Sequence, residues 1–491
     1  DALDRLVEIQ KVEGTTYTPL QYNNYDANGN LKSRYFADSG VVFVYNPRNQ
    51  VTEARNTRGA ARYDVYYRYD LNSNLTDVED AGGRVKYEYD KANRLTYQSG
   101  PASGMWAIHS YDDADNRTLT RFPGEFRVER DYDESDRPTA LVASRPDGSK
   151  PIDRSYDWED ADGDTSLMQS ETRNGTATDY TYDERNRLIK AGSHTYHLDD
   201  ASNLEAAEGR TFTINSAGQV ATSGGVTYTH DGAGNLKTGT SGELSAEYSI
   251  TNQLTSLTTT GADPIGITYD STDQTQRAVI RTGAKDQVVT NTAIGVTGIA
   301  TNGTRSTFVR DSAGTLIGQI TEGGEPLYAV TDHQNSTLLL VDANHAEAAK
   351  YTYKPYGTTE ETGRAAAGNP FRWNGHWQLD DAHGTYLVGH RQLDPKLARW
   401  TQPDPSGQEL NRYTYGMANP ITNTDPTGLV SEGENDILQG GLAFGAAVMG
   451  VGAFVASPVI IGIGVVIVGL VAARYIQAGI QECVAAGDCF Q

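Results

Sequence analysis

The chain has 491 residues, too many for one ordinary core, and a formal charge of −23; such an acidic surface repels phosphate and excludes nucleic acid as a partner for the bulk of the chain. Its 51 Gly and 29 Tyr against 10 Phe and 4 Met describe turn-rich β structure, because Tyr packs its ring on a pleated surface while its hydroxyl reaches a polar partner. The two cysteines, Cys483 and Cys489, both lie at the C-terminal end, so the body is built without disulfides.

Residue 1 lies inside an acidic, polar stretch with no basic segment leading into an apolar run, so no signal peptide is read, and the chain is compatible with a fragment. A repeat then sets in, with the core Y-D-x-x-x-[NR]-L. It reads YDANGNL at Tyr25–Leu31, YDLNSNL at Tyr69–Leu75, YDKANRL at Tyr89–Leu95 and YDERNRL at Tyr182–Leu188. Weaker copies start at Tyr111, Tyr132, Tyr196 and His230, and neighbouring copies often stand roughly 20 residues apart. Each unit predicts a hairpin: an alternating strand such as Arg84–Tyr89, a turn of Asp, Asn and Gly, and a Leu that opens the returning strand. One hairpin cannot bury its face alone, so neighbours must stack into a long sheet. Propeller blades would recur at about 40–50 residues with their own signatures, which are missing. These units resemble the YD repeats of Rhs proteins, Tc-toxin C components and teneurins. The resemblance runs from Tyr22 to Leu429 and implies an all-β shell, a hollow cocoon or part of one. Beside complete members the shell is small, which implies an upstream segment or a separate partner chain that closes it.

No metal or other cofactor is expected. Asp160-Ala-Asp162-Gly-Asp164 matches part of a Ca²⁺ loop, but Trp158 takes its first ligand position and Gln169 its twelfth. The nine histidines show no metal-ligand spacing.

From residue 328 the loose repeat gives way to an ordered block: Tyr328-Ala-Val-Thr-Asp332-His333, Tyr351-Thr-Tyr353-Lys-Pro355-Tyr356-Gly357, Asn369-Pro-Phe371-Arg372-Trp373, and Arg391-Gln-Leu-Asp394-Pro395-Lys-Leu-Ala-Arg399-Trp400. It ends on Pro403-Asp404-Pro405, Asn411-Arg-Tyr413-Thr-Tyr415 and Pro420-Ile-Thr-Asn-Thr-Asp425-Pro426-Thr-Gly428-Leu429. This order resembles the Rhs core, and the P-x-x-x-x-D-P-x-G-L ending is specific. The resemblance implies a plug that acts as an aspartyl autoprotease, with Asp404 and Asp425 as catalytic carboxylates and Leu429–Val430 as the scissile bond. Two carboxylates close together cannot both ionise, so one activates water while the other, protonated, polarises the carbonyl. Asp-Pro pairs also start turns in most proteins, and that reading stays open beside the catalytic one. Where the family often has an aromatic pair and Gly-Arg-Phe, this chain has Gln392-Leu393 before Asp394 and Ala398-Arg399-Trp400 after it. Arg391 and Arg399 are candidates to orient a carboxylate or simply to pack in a strand.

After Leu429 the composition changes. Ile437 to Ala473 carries 37 successive uncharged residues, divided by Pro458 into Ile437–Ser457 and Val459–Ala473. The first piece is long enough for a spanning helix, the second if it runs on toward Ile480, and the recurrent glycines permit close helix packing in lipid. With no His, no Lys and one Arg in residues 430–491, a nuclease, deaminase or ADP-ribosyl transferase is hard to build. The resemblance implies a variable toxin at this place. The readings are a pore-forming or membrane-inserting cargo, the hydrophobic lead of a longer toxin, or a buried helix pair.

The expected organisation is a YD-repeat β-shell over 1–327, a core with autoprotease and plug over 328–429, and a toxin-like tail with a hydrophobic helical hairpin over 430–491. The expected function is a self-cleaving toxin carrier, secreted or delivered, whose shell holds its own cleaved tail until it meets a target-cell membrane. A secretion apparatus, an immunity protein or a shell-closing partner is implied. The rival is a membrane-anchored surface adhesion or scaffold protein without proteolysis, using residues 437–473 as its anchor.

Overall fold

The computed structural model describes residues 1–321, 323–407 and 409–429, and the backbone of 432–433. The membrane segment read at Ile437–Ser457 and Val459–Ala473, and the helical tail with it, lie outside the described residues. Among the described residues no helix is long and apolar enough to cross a membrane.

The expected all-β shell is what forms. A sheet of 35 strands runs from Glu8–Glu13 to Thr359–Thr362. Each strand pairs antiparallel with the next along the chain, as in Thr16–Tyr25 with Leu31–Phe36 and Gly83–Tyr89 with Leu95–Ser99. A small two-stranded finger at Glu159–Asp164 interrupts the meander.

The repeat owes its form to hydrogen bonds inside each turn. In the unit Tyr89–Leu95, Asp90 Oδ1 accepts the N–H groups of Ala92 and Arg94 at 2.9 and 3.0 Å, and Arg94 Nε donates to Asp90 Oδ2 at 2.8 Å. Asp70 does the same for Asn72 and Asn74 at 2.8 and 2.9 Å, with Asn74 Nδ2 on its Oδ2 at 2.9 Å. The motif therefore requires Asp to receive two backbone donors, and Asn or Arg four residues later to satisfy the other oxygen. The residue between them is left-handed, Asn93 at φ 66° and Asn186 at φ 60°, a conformation Asn tolerates. The Tyr joins one unit to the last. Tyr89 Oη donates to Leu75 O at 2.8 Å and Tyr111 Oη to Leu95 O at 2.7 Å. Phe would fill the same space and leave that carbonyl unserved, which explains the excess of Tyr.

Side chains then tie distant strands. Thr272 N–H donates to Gln21 Oε1 across 251 residues, and Ala293 N–H donates to Tyr67 Oη across 226. Arg130 bonds Thr331 O across 201, and Arg173 bonds Tyr353 O across 180. The sheet coils on itself, and fewer residues separate facing contacts toward the C-terminal end, so the coil tightens there. At its tight end sits a four-stranded sheet, Trp377–Gln378, Tyr386–Val388, Arg391–Asp394 and Arg399–Trp400. All four residues of Arg391–Asp394 are buried, on both faces of the strand. Gln402 Nε2 donates to Asn252 O at 2.8 Å and Arg277 Nη2 to Gly389 O at 2.9 Å, seating this sheet against the coil.

Candidate active site

The strand Asn423–Thr424 pairs antiparallel with Glu432–Gly433, so Asp425 to Leu429 form part of the loop of a hairpin. That loop lies on the turn between Tyr386–Val388 and Arg391–Asp394: His390 N–H donates to Thr427 O at 2.8 Å. Gly428 has φ +69°, and a Cβ there would stand 2.6 Å from Val388 O and 2.9 Å from Arg391 N. The glycine before the terminal Leu is thus required twice, by conformation and by space.

Arg391 organises the loop. Its side chain is fully buried, 4.0 Å over the ring of Trp400. Nη2 donates to Asp425 Oδ2 at 2.6 Å and Nε to Gly428 O at 2.7 Å. Asp425 N–H donates to Tyr415 Oη at 3.1 Å, and Asn374 Nδ2 donates to the same hydroxyl at 2.9 Å. The Tyr415 ring packs between Trp373 and Trp400, with centroids 5.0 and 5.3 Å away. Burial raises the Asp425 pKa above the ordinary carboxylate value, against the opposing pull of Arg391 and of the Leu429 and Gly428 N–H groups.

Asp404 is equally buried. Its N–H donates to Arg412 O at 2.8 Å, and Arg412 Nη2 returns a bond to Asp404 O at 3.1 Å. The two aspartates meet at one residue. Leu429 N–H donates to Asp425 Oδ1 at 3.0 Å, while Leu429 O lies 2.9 Å from Ser406 Oγ, which in turn lies 2.7 Å from Asp404 Oδ2. Leu429 is therefore held at its nitrogen by one carboxylate and at its carbonyl by the other, through a serine. Arg399 is placed elsewhere: it hydrogen-bonds Gly218 O of the coil and lies 5.3 Å over the Tyr413 ring. Burial lowers its pKa to about 10.

Ser406, Tyr415 and Thr427 were not singled out from the sequence. Ser406 follows Asp404 by two positions, the spacing of a side-chain-closed turn, and this was the one signal that could have drawn attention to it. Tyr415 was visible only as part of a motif. In the region that resembles a Ca²⁺ loop, Asp164 forms an ion pair with Arg137 at 2.6 Å, and among the described residues no cluster of His, Cys, Asp and Glu is arranged to hold a metal.

Comparison with known proteins gives a consistent picture. The family model for the teneurin YD-shell matches residues 126–424, and that for the RHS repeat matches residues 69–102. The crystal structure of TcdB2-TccC3-Cdc42 superposes with a TM-score of 0.71 at 17% identity, over 90% of this chain and 26% of that one. Salivary gland surface protein 1 of Aedes aegypti is 33% identical over 105 residues, which are 20% of this chain and 3% of that protein. The tRNA3(Ser)-specific nuclease WapA of Bacillus spizizenii is 28% identical over 137 residues, 26% of this chain and 6% of that protein. The chain thus spans about a quarter of the solved chain and a few per cent of these curated relatives.

Proposed function

This chain belongs to the teneurin YD-shell family, whose model matches more than half of it, and from that premise we propose that it is a toxin carrier that cuts its own backbone between Leu429 and Val430. The observation that supports this most is the grip on Leu429, with Asp425 at its N–H and the Asp404–Ser406 pair at its carbonyl. In this mechanism one carboxyl of the pair Asp404 and Asp425 is ionised and takes a proton from water as the water oxygen attacks the Leu429 carbonyl carbon. The other carboxyl of the pair supplies the proton that neutralises the carbonyl oxygen and recovers it as the carbonyl re-forms. When the tetrahedral intermediate collapses, the C–N bond breaks, the first carboxyl passes its proton to the Val430 nitrogen, and one water has been consumed. Self-binding supplies the proximity that an intermolecular protease must gain from substrate.

The released cargo is the tail 430–491, and its uncharged run Ile437–Ala473 suits it for membrane insertion and pore formation in a target cell. The strand pairing of Glu432–Gly433 with Asn423–Thr424 gives the cut tail a non-covalent hold on the shell. A secretion apparatus, an immunity protein and a shell-closing partner belong to the same reading. The test is intact mass under denaturing conditions, beside Asp404→Asn and Asp425→Asn. Two masses that sum to the chain plus one water, split at Leu429 and absent from both variants, support the autoprotease. A single uncut mass overturns it and favours an anchored scaffold. A split at Asp425–Pro426 would instead report acid-labile peptide chemistry. Leakage of a dye from liposomes exposed to the released tail tests the cargo.

A further inference from the structure

Buried arginines elsewhere in the coil give their N–H groups to carbonyls, as Arg310 does to Val296 O and Gly314 O, each at 2.8 Å. Arg34 differs. It lies in the strand Leu31–Phe36, where alternation puts it on the face of Lys32. Lys32 is exposed, whereas Arg34 is 6% exposed, and its Nε has no hydrogen-bond partner among the described residues. Beside it is a cavity of about 30 Å³, walled by Phe43, Ala54 and Arg58 on one side and by Val289 and Asn291 of the strand Lys285–Thr292 on the other. A water molecule takes about 10–15 Å³ by this measure, so the space holds roughly two or three groups of that size.

The charges at this seam do not balance. Asp270 is taken by Arg58, whose Nε stands 2.8 Å from both carboxylate oxygens, and Arg58 Nη1 still has no partner among the described residues. Asp273 lies 3.6 Å from His390 Nδ1 and also faces Arg277. The guanidiniums of Arg34, Arg58 and Arg277 thus share two carboxylates. Burial lowers the Arg34 pKa, and the pull of Asp273 and Asp270 does not offset it. A buried charge is costly unless it is paired, and Arg34 Nε and Arg58 Nη1 can only donate.

We propose that this cavity is a binding site for a carboxylate held by Arg34 and Arg58, supplied by a small organic acid or by an acidic side chain of a partner chain. Its two oxygens match the two unpaired donors, and a planar guanidinium meets a planar carboxylate edge to edge. The five atoms of a phosphate exceed the space. The ion pair of Arg58 with Asp270 already spans 212 residues, so an occupied site would tie one turn of the coil to a later one. The proposal is independent of self-cleavage.

The experiment is calorimetric titration of the full chain with sodium acetate, with the amide of N-acetylglutamate and with sodium phosphate, at constant ionic strength set by sodium chloride. Wild type should bind one equivalent of acetate saturably. Arg34→Met should weaken that binding by about 10-fold or more, the worth of one charge-assisted hydrogen bond. Ala54→Val keeps both arginines and fills the space, and should weaken it as well. Circular dichroism checks that each variant folds, and if one fails the other carries the comparison. Tighter binding of the glutamate amide than of acetate assigns the site to an acidic side chain of a partner; weaker binding assigns it to a free small acid. No saturable binding of either carboxylate to the wild type, an unchanged affinity in the folded variants, or phosphate bound as well as acetate overturns the proposal and leaves the cavity to water.

Discussion

Arg391→Met tests the electrostatics of the site most directly. The arginine is fully buried and places Nη2 2.6 Å from Asp425 Oδ2. Without it, a carboxylate remains in a site whose burial already raises its pKa from 3.8. Breaking a buried pair in this way costs about 3–5 kcal/mol, but Asp425 has an escape, since it can bind a proton. Holding at pH 7 a proton that the unfolded chain releases near 3.8 costs at most about 4 kcal/mol, at 1.36 kcal/mol per pH unit. The sign follows from the direction of the shift. A carboxyl whose folded pKa is raised binds more protons folded than unfolded, so its destabilising effect grows as pH rises above the unfolded value and vanishes below it. Arg391→Met should therefore lose up to about 4 kcal/mol more stability at pH 7 than below pH 4. The lost Trp400 stacking and Gly428 O bond contribute equally at both. The assay is urea unfolding at the two pH values, in an Asp404→Asn background so that every sample is uncut. In Asp404→Asn/Asp425→Asn the pH-dependent part of the Arg391→Met effect should disappear. A loss of equal size at both pH values, or a pH dependence of that loss that survives Asp425→Asn, would refute the argument.

Three further outcomes are expected. Tyr89→Phe removes the 2.8 Å bond to Leu75 O and should lower stability by about 1 kcal/mol, measured as a shift in urea midpoint at constant slope, while Tyr66→Phe, on an exposed ring, should change it little. Gly428→Ala puts a Cβ 2.6 Å from Val388 O at φ +69°; it should stop self-cleavage and leave the far-ultraviolet spectrum of the shell unchanged, and a fully cut variant would contradict the fit described. Glu171 is buried between Arg154 and Arg173, and although burial pushes its pKa up, the two arginines hold it at about 2 instead of 4.5. Its stabilisation is present above about pH 4.5 and is lost as pH falls toward 2. Glu171→Gln should cost on the order of 3 kcal/mol at pH 7 and far less near pH 2, and an equal deficit across that range would show that the charge is not what matters.

The repeat was legible because its causes are local. Asp90, Arg94 and the left-handed Asn93 satisfy one another within five residues, so the motif in the text is the turn in space. The Tyr89 bond to Leu75 O reaches one repeat back and was foreseen only as a hydroxyl in need of a partner. The block from 328 to 429 was legible as a set of motifs, and Asp404, Asp425 and Leu429 were read from its ending. Arg391 and Arg399 could not be told apart, since both flank Asp394 in the same strand pair. One faces the loop that carries Asp425, the other faces Gly218 of the coil.

Order along the chain was thus enough to determine the kind of fold, an all-β meander of Asp-closed turns, and the residue types at the candidate site. Tertiary structure alone decided how tightly the meander coils, and that Asp425 and Asp404 approach Leu429 from its two ends, with Ser406 between Asp404 and the Leu429 carbonyl. Turn chemistry acts between near neighbours and is written in short spacings, whereas these contacts need two loops 21 residues apart in sequence to be pressed onto one buried strand. That depends on how the whole coil packs around Arg391 and Trp400, which no short spacing records.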